Sequence, residues 1–337
     1  MNASMRGAGT RDAPACSVVI PTYRRPEGLA HCLDALLGQS LPTALFEIVV
    51  VDDARSDATE QQVTALARAR GGRPRIRYLR PAPGSRGPAA ARNAGWRAAM
   101  APVIAFTDDD ALPSPHWLVE GLRALAAPDV DAAAGRVVVP LPAVPTDGER
   151  NSAGLDGAEF VTANCFVRRA ALREAGGFDE RFTRPWREDS DLYFTLLERG
   201  SRVVSAPAAL VLHPPRRVAA RDNLNAHRNL LFDALLYKKH PRLYRAKIKA
   251  VPPLSYYAAV AAAAFAVAAL LAGNLGTAGG AAAAWGALTV TLTARRQRGC
   301  PSTWAHLRDM FVTSAAIPFL AVFWRLSGAL RFRVPFL

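Results

Sequence analysis

CSVVIPTYRRPEGLAHCLDALLGQSLPTALFEIVVVDD, residues 16–53, decides the fold. Cys16–Ile20 and Glu47–Val51 are short β-branched runs, and Leu29–Leu37 between them carries apolar residues at helical spacing. A strand, a helix and a second strand in this order form a β-α-β unit, which sets the two strands parallel in one sheet. The alternation continues outward. A helix is expected over about Ala58–Ala69, a strand at Ile76–Leu79, a Gly/Pro-rich loop at Pro81–Pro88, a helix at Ala89–Met100 and a strand at Val103–Phe106. After Val137–Val139 comes Pro140–Gly157, rich in Pro, Gly and Asp and long enough for an active-site loop. Ala163–Val167, a helix at Arg169–Ala175, the turn Gly176-Gly177-Phe178-Asp179 and a helix from Glu188 follow. A last strand, Arg202–Ser205 or Ala209–Leu212, ends at His213. The pattern predicts an α/β domain, a mostly parallel sheet with helices on both faces.

Three acidic clusters follow the strands: Asp52-Asp53 after EIVV, Asp108-Asp109-Asp110 after VIAFT, and Glu188-Asp189 with Asp191 after FTRPWR. Carboxylates at the ends of parallel strands converge on one rim of the sheet, where α/β proteins bind ligands. A divalent cation bridging such carboxylates and a diphosphate would neutralise the charge that develops as a glycosyl phosphate bond breaks.

Lys and Arg number 42 against 28 Asp and Glu, a formal charge of +14. Many of the cations border the C-terminal apolar region: Lys238, Lys239, Arg242, Arg245, Lys247, Lys249, Arg295, Arg296 and Arg298. That placement favours anionic lipid over nucleic acid, for which no RNA-binding aromatic motif is present. Cys16, Cys32, Cys165 and Cys300 lack metal or redox spacing, which fits a reduced cytosolic setting. Residues 1–15 have no secretory h-region and are expected to form a disordered tail.

Residues 250–294 contain no charged side chain. Leu254–Leu271 and Leu275–Leu292 are long enough to cross a hydrocarbon core of roughly 30 Å. Asn274 falls at the turn, and Tyr256, Tyr257 and Trp285 suit the interface. Phe311–Trp324 is apolar but short and holds Pro318, leaving a third span, a re-entrant segment and an interfacial helix open. The flanking cations place both ends of the pair in the cytosol, although Arg325, Arg331 and Arg333 count against a third full crossing.

SVVIPTYRRPEGLAHCLDALLGQSLPTALFEIVVVDDARSDAT, GPAAARNAGWRAAMAPVIAFTDDDALPSPHWL and GGFDERFTRPWREDSDLYFTLLERG together resemble family 2 glycosyltransferases of the GT-A fold, in their membrane-anchored bacterial type. The resemblance covers about residues 16–215. It implies transfer of a sugar from a UDP- or GDP-linked donor, with Mg²⁺ or Mn²⁺. By this likeness Pro21, Thr22, Tyr23 and Asp53 would hold base and ribose, with Arg92 and Asn93 bordering base or diphosphate. Asp108 and Asp110 match the DxD acids, Asp110 as first cation ligand and Asp108 as ribose or supporting contact, and His213 stands where many members contact metal or diphosphate. Glu188-Asp189 matches the ED motif, with Asp189 as general base of an inverting transfer and Glu188 and Asp191 as alternatives. No QxxRW motif of processive synthases is present, so single-residue transfer is expected. Residues 216–249 then read as a basic juxtamembrane linker and 250–337 as a membrane region of the inner (plasma) membrane, the catalytic domain facing the cytoplasm. That location is the ground for a lipid-linked acceptor.

Other classes fit less well. A Rossmann dehydrogenase would need GxGxxG after the first strand, where PTYRRPEG stands. A nucleotidylyltransferase would want a Gly-rich, Lys-bearing loop there. A non-catalytic nucleotide-sugar-binding membrane protein would have no need of every acid, yet all are present.

Overall fold

In a computed structural model, residues 13–215 and 224–336 are described. The expected tail therefore lies largely outside the described residues, as does part of the juxtamembrane linker. The chain divides into two compact units, residues 1–138 with 155–214, and residues 139–154 with 215–337.

The first unit is built on one eight-stranded sheet in the order β3-β2-β1-β4-β7-β6-β8-β5. β1 (Cys16–Thr22), β2 (Phe46–Asp52), β3 (Arg75–Leu79) and β4 (Val103–Phe106) are mutually parallel, as β-α-β crossovers require. Helices α1 (Pro26–Leu37), α2 (Asp57–Ala69) and α3 (Pro88–Ala98) make those crossovers. β5 (Leu112–Pro113) and α4 (Trp117–Ala124) lead to β6 (Ala132–Val138). α5 (Asp147–Ser152) belongs to the second unit, after which β7 (Cys165–Arg168), α6 (Arg169–Ala175), α7 (Glu188–Glu198) and β8 (Val203–Leu212) complete the first. β7 runs antiparallel to both β4 and β6, so the sheet is mixed on this side. The two alternatives for the last strand are one strand: a register shift opposite Gly135/Arg136 interrupts its pairing and lets it continue.

All seven β2 residues are buried, because helices cover both faces of a parallel sheet. One face packs Leu29, Leu33 and Leu36 of α1 against Val18, Ile48 and Val50. The other packs Ala91 and Trp96 of α3 against Val19, Val49 and Ile104. The four cysteines are free and buried.

The second unit holds α8 (Leu231–Lys239), α9 (Leu254–Leu271), α10 (Leu275–Gln297) and α11 (Trp304–Phe332). The last three are long and apolar enough to cross a membrane. α9 and α10 are almost uncovered, with Phe265 59%, Leu271 83% and Leu275 72% exposed. Apolar side chains so exposed in two adjacent helices call for a nonaqueous surrounding. α10 runs five residues past the expected end, and α11 is far longer than Phe311–Trp324. Pro318 sits inside α11, where it removes a single backbone donor without ending the helix.

Candidate active site

β1 and β4 end side by side, and the residues after them meet. Asp109, the middle acid of the triplet, points inward: it is 6% exposed and accepts from Thr22 Oγ1 at 2.7 Å. Burial raises its carboxyl above the ordinary range, which the Thr22 bond opposes. Asp108 and Asp110 flank it on the open side. With His213, just past β8, they bring one donor atom each within 4.8 Å of one another. His213 Nε2 lies 3.3 Å from Asp110 Oδ1, and its backbone amide donates to Val138 O at 2.9 Å, which fixes the residue at the end of β6. Two carboxylates and an imidazole at this separation are a donor set that Mn²⁺ accepts, and Mg²⁺ through its oxygens.

Arg92 on α3 is 3% exposed and spans the site's two acidic motifs. Nη2 donates to Asp108 Oδ1 at 2.8 Å and Nη1 to Glu188 Oε1 at 2.9 Å. Only a planar guanidinium makes two such directed bonds at once. Glu188 begins α7, where the helix dipole favours an acid. It is 4% exposed, its Oε2 has no hydrogen-bond partner among the described residues, and burial pushes its carboxyl up to about 7 despite Arg92. Asp189 is half-buried and accepts from the Ser190 amide at 2.6 Å, and desolvation raises its carboxyl as well. Asp191, one turn in, is 2% exposed. Arg187, before Glu188, holds φ +74. Arg24, after Tyr23, and Arg55, close behind Asp53, also have positive φ, an uncommon conformation for a side-chain-bearing residue that here clusters beside the site.

The remaining expected residues divide. Thr22 holds the triplet, Pro21 lies within β1, and Tyr23 is 52% exposed beside them. Asp52 is buried and accepts from the Ala54 and Ser56 amides and Tyr78 Oη, shaping the turn rather than facing outward. Asp53 Oδ2 accepts from the Gly87 amide at 2.9 Å. Gly87 takes φ +89 and a Cβ there would lie 2.5 Å from Thr183 O, so only glycine fits. Asn93 is 1% exposed. Its amide donates to Phe178 O and Glu180 Oε1, and its oxygen accepts from the Phe178 amide and Trp96 Nε1. Asn93 thus ties α3 to the GGFD turn.

Sequence reasoning missed Arg25, whose Nη1 lies 2.9 Å from Asp110 Oδ2 and 3.4 Å from Asp109 Oδ1. The available signal was electrostatic: three consecutive acids need a countercharge, and Thr22-Tyr23-Arg24-Arg25 is the segment that adjoins them.

Residues 17–174 match glycosyl transferase family 2. A glycosyltransferase, AglE, of Haloferax volcanii is 27% identical over 218 residues, 61% of this chain and 69% of that protein. A pre-mycofactocin glycosyltransferase of Mycobacterium tuberculosis is 32% identical over 215 residues, 59% of this chain but only 43% of that protein. Among solved structures, a mannosyltransferase from Pyrobaculum calidifontis, in complex with GDP-Man and Mn²⁺, superposes with a TM-score of 0.59 at 21% identity, covering 91% of this chain and 87% of that one. Motifs, sheet order and matches converge: residues 17–174 form a family 2 glycosyl transferase domain, carried on a GT-A fold.

Proposed function

We propose that the chain transfers one sugar from a nucleoside-diphosphate donor to an acceptor hydroxyl, with inversion at the anomeric carbon. The observation that carries this reading is the Asp108–Arg92–Glu188 bridge, which ties the cluster suited to a diphosphate and its cation to the acid pair suited to an acceptor. The Mn²⁺ and GDP-mannose of the Pyrobaculum structure support the same assignment. Asp108, Asp110 and His213 would hold Mg²⁺ or Mn²⁺, which when bound would neutralise the leaving diphosphate. Pro21, Thr22, Tyr23 and Asp53 border the nucleoside. Glu188 already gives one oxygen to Arg92 and is nearly inaccessible, so Asp189, half-buried beside it, is the better general base. Its carboxylate takes the acceptor's hydroxyl proton as that oxygen bonds to the anomeric carbon and the bond to the diphosphate breaks.

α9 and α10 cross the membrane as a hairpin, and the acceptor is lipid-borne. Two facts support this. Nine residues beyond Val138, Asp147 Oδ2 pairs with Arg296 Nη2 of α10 at 2.7 Å, both side chains 12% exposed. Arg150 donates to Arg298 O. Within the second unit, the segment that follows β6 is therefore fastened to the end of an apolar helix. A panel of UDP- and GDP-sugars, scored by Mn²⁺-dependent thermal stabilisation and slow donor hydrolysis, tests the assignment. Stabilisation by none of them, with or without Mn²⁺, would overturn it.

A further inference from the structure

α11 is long and apolar enough for a third crossing, yet the elements it is bonded to lie on one side of the proposed hairpin. α9 and α10 are joined by the short turn at Gly273-Asn274, so the pair is an antiparallel hairpin, and α10, the longer helix, ends just beyond the start of α9. At that end Arg296 Nη1 donates to Thr313 Oγ1 at 2.9 Å and Ser314 Oγ at 2.8 Å of α11. The other half of α11 packs on α8, which precedes α9 in the chain. Arg325 Nη1 lies 3.8 Å from Asp233 Oδ2, and Lys238 Nζ donates to Phe332 O at 2.7 Å. Gly328 sits against α8 so closely that a Cβ would fall 2.5 Å from Leu231 O.

From Thr313 to Phe332 the helix advances about 28 Å, close to the thickness of a hydrocarbon core. A crossing helix would carry one of these contact sets to the far side, but α8 and the end of α10 both belong to the near side. The exposed face has its own pattern. Trp304, Phe311, Phe319, Phe323, Leu326 and Leu330 are exposed and recur at helical spacing on one stripe, while Met310, Thr313, Ile317, Ala321 and Gly328 are buried on the other. α11 is far more covered by protein than α9 and α10 are. One face is covered by protein and the other is apolar and bare apart from Arg308, whose long side chain can keep its charge at the headgroups while the rest of the stripe enters lipid.

We infer that α11 lies in the plane of the membrane, its Trp304-to-Leu330 stripe seated among lipid at the headgroup boundary on the side where α8 and the end of α10 lie. The inference rests on the proposed α9–α10 hairpin. Its occupant is the bilayer because the stripe is as apolar and exposed as the surfaces of α9 and α10, which the proposed hairpin seats in lipid.

The test uses the full chain in native membranes, its four buried cysteines left in place. Single variants Asn274→Cys, Ser302→Cys and Pro335→Cys are reacted with a membrane-impermeant maleimide from either face. Ser302→Cys and Pro335→Cys are expected to label from one face and Asn274→Cys from the opposite one. Labelling of Pro335→Cys from the same face as Asn274→Cys would show that α11 crosses and overturn the inference. Labelling of Ser302→Cys from the Asn274 face would instead sink the hairpin beneath it. A fluorescent protein and an alkaline phosphatase, fused in turn after Leu337, read the same side without cysteine chemistry. Leu330→Cys should react with a lipid-soluble maleimide at least about tenfold faster than with the impermeant reagent, since water is scarce at an apolar stripe in lipid. Equal rates would mean the stripe faces water, against the inference.

Discussion

Replacing Arg92 with alanine removes the one side chain that, among the described residues, is bonded to both acidic motifs. Glu188, 4% exposed, would lose the guanidinium at 2.9 Å that balances its charge, and Asp108 would lose a 2.8 Å bond. Removing one partner of a buried ion pair costs about 3–5 kcal/mol. For a domain of this size each kcal/mol lowers Tm by about 2–4 °C, so Arg92→Ala should melt roughly 6–20 °C below the parent chain. The loss should depend on pH. Burial already holds the Glu188 carboxyl near 7, above its unfolded value, so the folded state keeps this proton more tightly than the unfolded state does. Stability from that group is present at acid pH and fades as pH rises through neutral. Without Arg92 the carboxyl should move further up, making the deficit larger at pH 8 than at pH 5.5. Arg92→Lys, with one charge but no fork, should fall between. Differential scanning calorimetry of the detergent-purified chain at both pH values measures this. A deficit under about 2 °C, or one that shrinks as pH rises, would refute the reasoning.

Asp189→Asn should keep donor affinity and lose transfer by about two to four orders of magnitude, the usual share of a general base. Near-normal turnover would move that role to Glu188 or Asp191. Asn93→Ala strips four hydrogen bonds, three of them from the buried Phe178 backbone and Trp96 indole, so it should cost about 2–4 kcal/mol in melting while leaving donor Kd unchanged in the folded fraction. A weakened Kd without destabilisation would put Asn93 on the nucleotide instead. Gly87→Ala forces a Cβ against Thr183 O at positive φ and should shift the amide off Asp53. A loss of about 2 kcal/mol or more in melting is expected, and none would argue that the loop relaxes freely.

The parallel half of the sheet was legible because β1, β2 and β4 are β-branched runs buried on both faces. β6 was mostly missed: Ala132–Val138 begins AAAG, small residues with little strand preference, held there by pairing with β7 and β8. The reversed direction of β7 left no mark, since an apolar run reads alike in both directions. At the site, residue types showed which acids assemble but not which way each faces. Asp109 and Asn93 turn inward because neighbouring elements need their bonds, information that resides in tertiary contacts. The true length of α11 was hidden by Pro318 and by Arg325, whose charge is buried over the Phe336 ring rather than ending the helix.

The central claim is that Asp108, Asp110 and His213 form a cation-dependent diphosphate site. Calorimetric titration of GDP and of UDP into the purified chain, with Mn²⁺ and with EDTA, tests it most directly. At least one nucleotide should bind at least about tenfold more tightly with Mn²⁺, because two carboxylates otherwise face the diphosphate's own negative charge, and Asp110→Asn should abolish most of that gain. Equal affinity with and without Mn²⁺, or a gain that survives Asp110→Asn intact, would contradict the account.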